Sequence, residues 1–75
     1  LPVFVFQEGN DPHARQVFKQ IATRSRGAYA RFAPGSAKEL AALLGAVVAY
    51  ATNGKDAVSQ LTTAEARHLL RQLPP

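Results

Sequence analysis

The carboxylates best placed to bind a ligand are Glu8 and Asp11, which follow the apolar run at residues 3–6. If that run is a strand, both side chains lie at its carboxyl end, where open α/β sheets bind their ligands. Asp11 also precedes Pro12, the arrangement of a helix N-cap followed by proline at the first helical position. Glu8 and Asp11 are therefore the candidate loop for a ligand or partner, and the structural alternative is an exposed Glu8 and a capping Asp11.

Five basic residues form a second candidate, because they cluster in sequence around an aromatic side chain, Tyr29. They are Arg15, Lys19, Arg24, Arg26 and Arg31. Basic residues near an aromatic are typical of nucleic-acid interfaces, although such residues are more often a solvated face. The formal charge of +4, from nine Lys and Arg against five Asp and Glu, favours attraction to anions without naming one.

The other residue types that could support catalysis are not arranged for it. His13 and His68 are too far apart for a local zinc motif, and the chain has no cysteine to act as a thiolate ligand or nucleophile. The serines stand outside a GxSxG motif, and the five glycines stand singly rather than in a phosphate-binding loop. We predict a protein that is not an enzyme and carries no cofactor.

The elements that position these residues begin with a strand, a helix and a second strand. Residues 3–6 are β-branched and aromatic, as in a strand covered on both faces. Apolar residues then recur at helical spacing, which predicts an amphipathic helix with one buried stripe that ends at a Gly27 cap. The stripe consists of Ala14, Val17, Phe18, Ile21 and Ala22. Residues 28–32 predict a short strand at the edge of the sheet, with Arg31 discouraging stray pairing.

Two more helices are predicted in the second half. Ser36 and Glu39 have the spacing of a capping box, in which each side chain caps the other's backbone N–H. The helix that follows is apolar nearly all round, so it should pack on more than one side, and residues 52–54 should end it. Residues 55–61 are ambiguous. Thr62 and Glu65 repeat the capping-box spacing before a last amphipathic helix.

This order of elements predicts an α/β fold, β-α-β-α-α, with two parallel strands joined by a right-handed crossover. All-parallel sheets occur almost only inside larger layered folds, so the chain should expose sheet edge and apolar surface. No cysteine or metal site is available to stabilise so small a core, which leaves association with a partner chain. We therefore expect a protein partner or a homo-oligomer, through an added or exchanged strand.

Location and extent follow from what the sequence lacks. The apolar residues 40–51 are too few to span a bilayer, and residues 1–6 have neither a methionine start nor the basic region of a signal peptide. The absence of cysteine fits a reducing compartment, so we expect a cytoplasmic protein. We interpret residues 1–75 as one small domain or a fragment of a larger one.

Several segments resemble the C-terminal part of bacterial von Willebrand factor A (VWA)-like proteins. They are residues 2–11, Ile21 with Ala22, residues 27–29 with Phe32, residues 35–37, and residues 43–51. The resemblance covers residues 1–58 and leaves residues 59–75 as a helical extension. It implies the last two strands and helices of a doubly wound, Rossmann-like sheet.

The resemblance also implies where a metal would be expected. VWA domains hold a divalent metal such as Mg²⁺ at an Asp-x-Ser-x-Ser turn, and neither Asp11 nor Asp56 begins such a turn here. The resemblance thus implies an uncharacterised protein-interaction domain without its metal site. The alternative function is a small basic nucleic-acid-binding module.

Overall fold

The computed structural model describes residues 1–74, which form two strands and three helices. In chain order these are β1 (Phe4–Glu8), α1 (Pro12–Arg24), β2 (Ala28–Phe32), α2 (Ala37–Ser59) and α3 (Ala64–Gln72). The predicted β-α-β-α-α order and the mixed α/β architecture are therefore confirmed. Strand β1 begins at Phe4, after the start of the apolar run at residues 3–6, and ends at Glu8. Its end lies beyond the run because Gln7 and Glu8 continue the pairing with β2.

The two strands pair in parallel over their full lengths, with Phe4 opposite Ala28 and Glu8 opposite Phe32. Successive side chains of a strand point to opposite faces. One face of the sheet therefore carries Gln7, Tyr29 and Arg31 and lies against α1. The other face carries Phe4, Phe6, Ala28, Ala30 and Phe32, which pack against residues of α2 and α3.

The core lies between this second face and the α2–α3 pair. Its largest fully buried side chains are Leu43 and Val58 of α2 and Leu69 of α3. Small residues of β2, Ala28 and Ala30, let these helices approach the sheet closely. The apolar stripe predicted for the last helix is Ala66, Leu69, Leu70 and Leu73. Ala66, Leu69 and Leu73 are buried, at most 5% exposed, and Leu70 is partly buried against the core.

Both ends of α1 are capped by hydrogen bonds to terminal backbone groups that the helix itself cannot pair. Asp11 Oδ1 accepts from the backbone N–H groups of His13 and Ala14, as predicted for an N-cap. At the other end, Gly27 N–H donates to Ala22 O and Arg26 N–H donates to Thr23 O, which is a Schellman motif. The left-handed residue of that motif is Arg26, at φ 63°, so the prediction of Gly27 as the cap residue is off by one.

Gly27 is required for a different reason. A Cβ at this position would overlap the backbone of Val3, lying 2.7 Å from its nitrogen. The segments that lead into β1 and β2 therefore meet backbone to backbone at Gly27. Since neither segment can move without disturbing the strand pairing, no larger residue fits there.

Helix α2 differs from the prediction at its N-terminal cap. Ser36 Oγ accepts from Glu39 N–H as expected, but Glu39 Oε1 accepts from Ala33 N–H, so the reciprocal bond of a capping box is absent from this turn. The predicted end at residues 52–54 is confirmed as a break, because Gly54 has the non-helical angles φ 77° and ψ −165°. A further short helical segment follows to Ser59 in the ambiguous stretch, and Val58 of this segment is buried in the core.

Helix α3 begins one residue later than predicted. The N-cap is Thr63, whose Oγ1 accepts from Ala66 N–H, and Thr62 is exposed outside the helix. Two consecutive threonines made the sequence signal ambiguous by one position, and the burial of Ala66 selects the register that is observed. The capping-box interpretation of Thr62 and Glu65 is therefore wrong.

Candidate functional site

The outer edge of β2 is covered by a side chain of α3. Gln72 Oε1 accepts from Tyr29 N–H at 2.9 Å, and Gln72 Nε2 donates to Tyr29 O at 2.7 Å. The side-chain amide thus satisfies the same donor and acceptor that a neighbouring strand would satisfy. The edge position predicted for this strand is consistent with this arrangement, because α3 occupies the place of a further strand.

The outer edge of β1 lacks such a cover. The sheet has only two strands in residues 1–74, and its register directs the backbone groups of Val5 and Gln7 towards β2. Gly9 N–H continues this series by donating to Phe32 O at 3.0 Å. Because backbone groups alternate along a strand, those of Phe4, Phe6 and Glu8 point away from β2. They form a row of donors and acceptors at an unpaired edge.

Helix α1 lies across both strands, so each flank of the helix lies over one edge of the sheet. Its buried face contains Phe18 and Ala22, and at 3.6 residues per turn Arg15 and Lys19 lie on one flank of that face. These two residues, together with Tyr29 and Arg31, line a cavity at the outer edge of β2.

The opposite flank of α1, over the β1 edge, carries Val17 and Ile21, which are 47% and 44% exposed. The predicted buried stripe is therefore buried only in part. The sheet stops at β1, and no further strand lies beneath this flank to cover the two side chains.

A buried polar pair fixes how α1 lies on the sheet. The Tyr29 hydroxyl donates to Gln7 Oε1 at 2.6 Å, and Gln7 Nε2 donates to the backbone oxygen of Asp11 at 3.2 Å. Both side chains are at most 7% exposed. This chain of hydrogen bonds links Tyr29 of β2, through Gln7 of β1, to Asp11, the N-cap residue of α1. The aromatic ring of Tyr29 therefore has a fixed position under α1.

Glu8 and Asp11, the predicted ligand loop, both bind backbone groups of the chain itself. Glu8 Oε2 accepts from Gly35 N–H at 2.7 Å, which ties the end of β1 to the loop before α2. Asp11 is the N-cap described above. Both carboxylates therefore have structural roles in this arrangement, and the ligand loop stays a prediction.

The five basic residues line three adjoining cavities. Arg15, Lys19 and Arg31 line the same cavity of about 730 Å³ with Tyr29, whereas Arg26 lines a neighbouring one of about 380 Å³. Arg24 lines a third cavity together with Lys19, and Thr23 lines all three. Lys19 Nζ is 5.8 Å from the centroid of the Tyr29 ring, within the range of a cation–π interaction. The nucleic-acid interpretation of these residues stays a prediction.

The two histidines are on separate exposed surfaces, His13 in the first turn of α1 and His68 on α3. Within residues 1–74, no group of three or more His, Cys, Asp and Glu lies close enough together to bind a metal ion. Asp11 and Asp56 in particular are on different elements. None of the helices in the described part of the chain has the length and apolarity of a membrane span.

The two glutamines that distinguish the edges, Gln72 and Gln7, could not be identified from the sequence. Gln72 falls on the polar side of α3 and gives no local signal, because its partner Tyr29 is 43 residues away. Gln7 follows an apolar run and looks like the start of a turn. Only the strand register shows that its side chain lies under α1.

Comparison of the chain with protein-family models, with curated proteins and with solved structures found no match.

Proposed function

We propose that this chain is a non-catalytic protein-interaction module that associates with a second copy of itself through the outer edge of β1. The observation that carries the proposal is the difference between the two edges of the sheet. Gln72 satisfies the outward backbone groups of Tyr29 at the β2 edge, while within residues 1–74 the backbone groups of Phe4, Phe6 and Glu8 point outward from β1 with no strand beside them.

Strand addition is the mode of binding that this edge favours. An unpaired row of N–H and C=O groups is a template for another strand, and main-chain hydrogen bonds supply affinity without a specific side-chain pocket. Two copies related by a twofold axis would pair their β1 strands antiparallel, giving a four-stranded sheet with a β2 strand at each outer edge. Both outer edges would then be the ones that Gln72 covers.

Apolar surface next to the edge supports the same interface. Val17 and Ile21 are nearly half exposed on the flank of α1 that lies over β1, and Phe4 and Phe6 are only partly buried on the opposite face. A strand added at β1 would bring side chains alongside both sets, and burial of apolar area is the main favourable term in association. The interface would therefore combine backbone pairing with apolar contact on both faces.

The resemblance to VWA-like proteins is part of this proposal. A doubly wound sheet would place its next strand at the same β1 edge, which makes strand addition there the common feature of both interpretations. In that case the chain would accept a strand of matching sequence from a VWA-like domain in place of the second copy. An association test on residues 1–75 alone examines the second copy directly.

The side-chain part of the interface can be tested with one matched pair of variants. Ile21→Glu places a charge on the flank over β1, and Val48→Glu places the same charge on the exposed outer face of α2, where Val48 is 64% exposed. In sedimentation equilibrium across a concentration series, the unmodified chain should dimerise, Ile21→Glu should weaken dimerisation about tenfold or more, and Val48→Glu should leave it unchanged. A strictly monomeric chain at the highest concentration contradicts the proposal.

The backbone part is tested at Glu8, whose N–H points outward. Glu8→Ala and Glu8→Pro both remove the hydrogen bond to Gly35, but only proline also removes the outward N–H. Dimerisation should therefore fall further in Glu8→Pro than in Glu8→Ala. Equal dimerisation of the two variants would mean that β1 does not pair with another strand at this position.

A further inference from the structure

The residues that line the cavity at the outer edge of β2 have an excess of positive charge. Three cationic side chains line it, Arg15 and Lys19 from α1 and Arg31 from β2, and the one carboxylate among its lining residues is Glu65 of α3. With His68 neutral, these groups leave a net charge of +2 in a cavity of about 730 Å³. This volume lies within the range of small-molecule sites in proteins.

Other carboxylates are committed elsewhere. Glu8 and Glu39 accept backbone N–H groups of the loop before α2, and Asp11 caps α1. Arg15 and Lys19 stand four residues apart on one flank of α1, a spacing at which like charges destabilise a helix. Arg31 points to the same face of the sheet as Tyr29, which brings a third cation towards the same space. Three cations thus line one cavity with a single carboxylate, an arrangement that favours a bound anion.

Two of the lining residues are held in place by hydrogen bonds. The hydroxyl of Tyr29 donates to Gln7, and Lys19 lies over the Tyr29 ring. Gln72, which also lines the cavity, makes two bonds to the Tyr29 backbone. His68 and Glu65, three residues apart on α3, line the cavity as well and offer further hydrogen-bonding groups. A ligand would meet charge from α1 and β2 and polar groups from α3.

We infer that this cavity is a binding site for a small anion with a carboxylate or phosphate group. Arg15 and Arg31 would bind the anion through their planar guanidinium groups, and Lys19 would add a point charge. The site is separate from the proposed β1 interface, since it lies at the other edge of the sheet. Its occupation is compatible with association through β1, so either proposal can fail without the other.

Isothermal titration calorimetry with inorganic phosphate and with citrate, each at low ionic strength, tests the site and separates the two anion classes. The variant is Arg15→Gln/Lys19→Gln, and the matched control is Lys38→Gln/Arg67→Gln. Each pair removes one Arg and one Lys from exposed helical positions, but neither control residue lines the cavity. At least one probe should bind, about tenfold more weakly to the cavity variant, with less than about a twofold change in the control.

Three results would overturn the inference. The first is that neither phosphate nor citrate binds. The second is that both double variants weaken binding equally, which would reflect net charge alone. The third is that only a single-stranded oligonucleotide binds and that Arg24→Gln/Arg26→Gln weakens it as much as the cavity variant does, which would favour an extended nucleic-acid surface. Amide chemical-shift changes on titration should be centred on Tyr29, Arg31 and His68 if the site is the cavity.

Discussion

The two strands of the sheet have edges of opposite character. At β2, the amide of Gln72 replaces a neighbouring strand, cations of α1 stand above the edge, and Arg31 extends from the strand itself. At β1, outward backbone groups meet no other strand, and the adjacent flank of α1 is apolar, with Val17 and Ile21 exposed. Covered and charged edges resist strand addition, whereas an open apolar edge invites it.

Because of this difference, the two edges of the sheet suit different kinds of binding partner. The β2 edge is covered at Tyr29 and forms one side of a basic cavity, which suits a small ligand. The β1 edge, unpaired within residues 1–74, lies beside exposed apolar side chains, which suits a macromolecular partner. Helix α1 serves both, because its two flanks carry different chemistry and lie over different edges. The contrast depends on the strand pairing and on α3, and each can be disturbed separately.

The largest expected effect comes from Gly27→Ala, which tests whether both edges depend on the two-strand ladder. The added Cβ would overlap the Val3 backbone, and a backbone clash cannot be relieved by a rotamer change. We expect a loss of about 3 kcal/mol or more in the free energy of unfolding, measured by urea denaturation. At this cost, a small domain loses much of its stability, and both edges should be lost together in one unfolding transition at lower urea concentration.

Gly45→Ala is the control for this substitution. Gly45 lies within α2, and a Cβ there would meet nothing within 4 Å. Alanine is favoured over glycine in a helix interior, so this variant should gain about 0.5–1 kcal/mol in the free energy of unfolding. A Gly27→Ala variant as stable as the unmodified chain would show that the strands have room to separate at Val3.

The elements of the fold could be predicted from sequence where the signal is local. The Asp11-Pro12 start of α1, the short strand at residues 28–32 and the helix with apolar spacing that became α3 each depend on neighbouring residues, and all three are confirmed. The exposure of Val17 and Ile21 could not be predicted, because periodicity shows which face is apolar and not whether a surface covers it.

The β2 cavity was beyond sequence reasoning for a related reason. The sequence shows that Arg15, Lys19 and Arg31 are basic, but which basic residues line the same cavity depends on helical phase and on which edge α1 overlies. The pairing of Gln72 with the Tyr29 backbone joins residues 43 positions apart and has no sequence pattern. Local chemistry thus predicted the elements, and tertiary contacts decided the sites.

A smaller effect is expected from Gln72→Ala, which would convert the covered edge into an open one. The loss of two hydrogen bonds to the Tyr29 backbone should cost about 1–3 kcal/mol in the free energy of unfolding. Hydrogen exchange at the Tyr29 amide should accelerate, and association should increase because both strands would then offer an unpaired edge. Gln60→Ala, at the exposed end of α2, is the control. If Gln72→Ala and Gln60→Ala had the same stability, Tyr29 amide exchange and association, Gln72 would not be what distinguishes the β2 edge from the β1 edge.

The smallest effect is expected from the cap of α3, which decides how firmly Gln72 is held. Thr63 Oγ1 accepts from Ala66 N–H, so Thr63→Ala should cost about 1 kcal/mol, whereas Thr62→Ala should stay within about 0.5 kcal/mol. Thermal denaturation of the two variants measures the difference, and a larger loss in Thr62→Ala would restore the capping box predicted from sequence. Because α3 carries Gln72, fraying of its first turn in Thr63→Ala should also raise exchange at the Tyr29 amide. The cover of the β2 edge is therefore only as stable as the helix that supplies it.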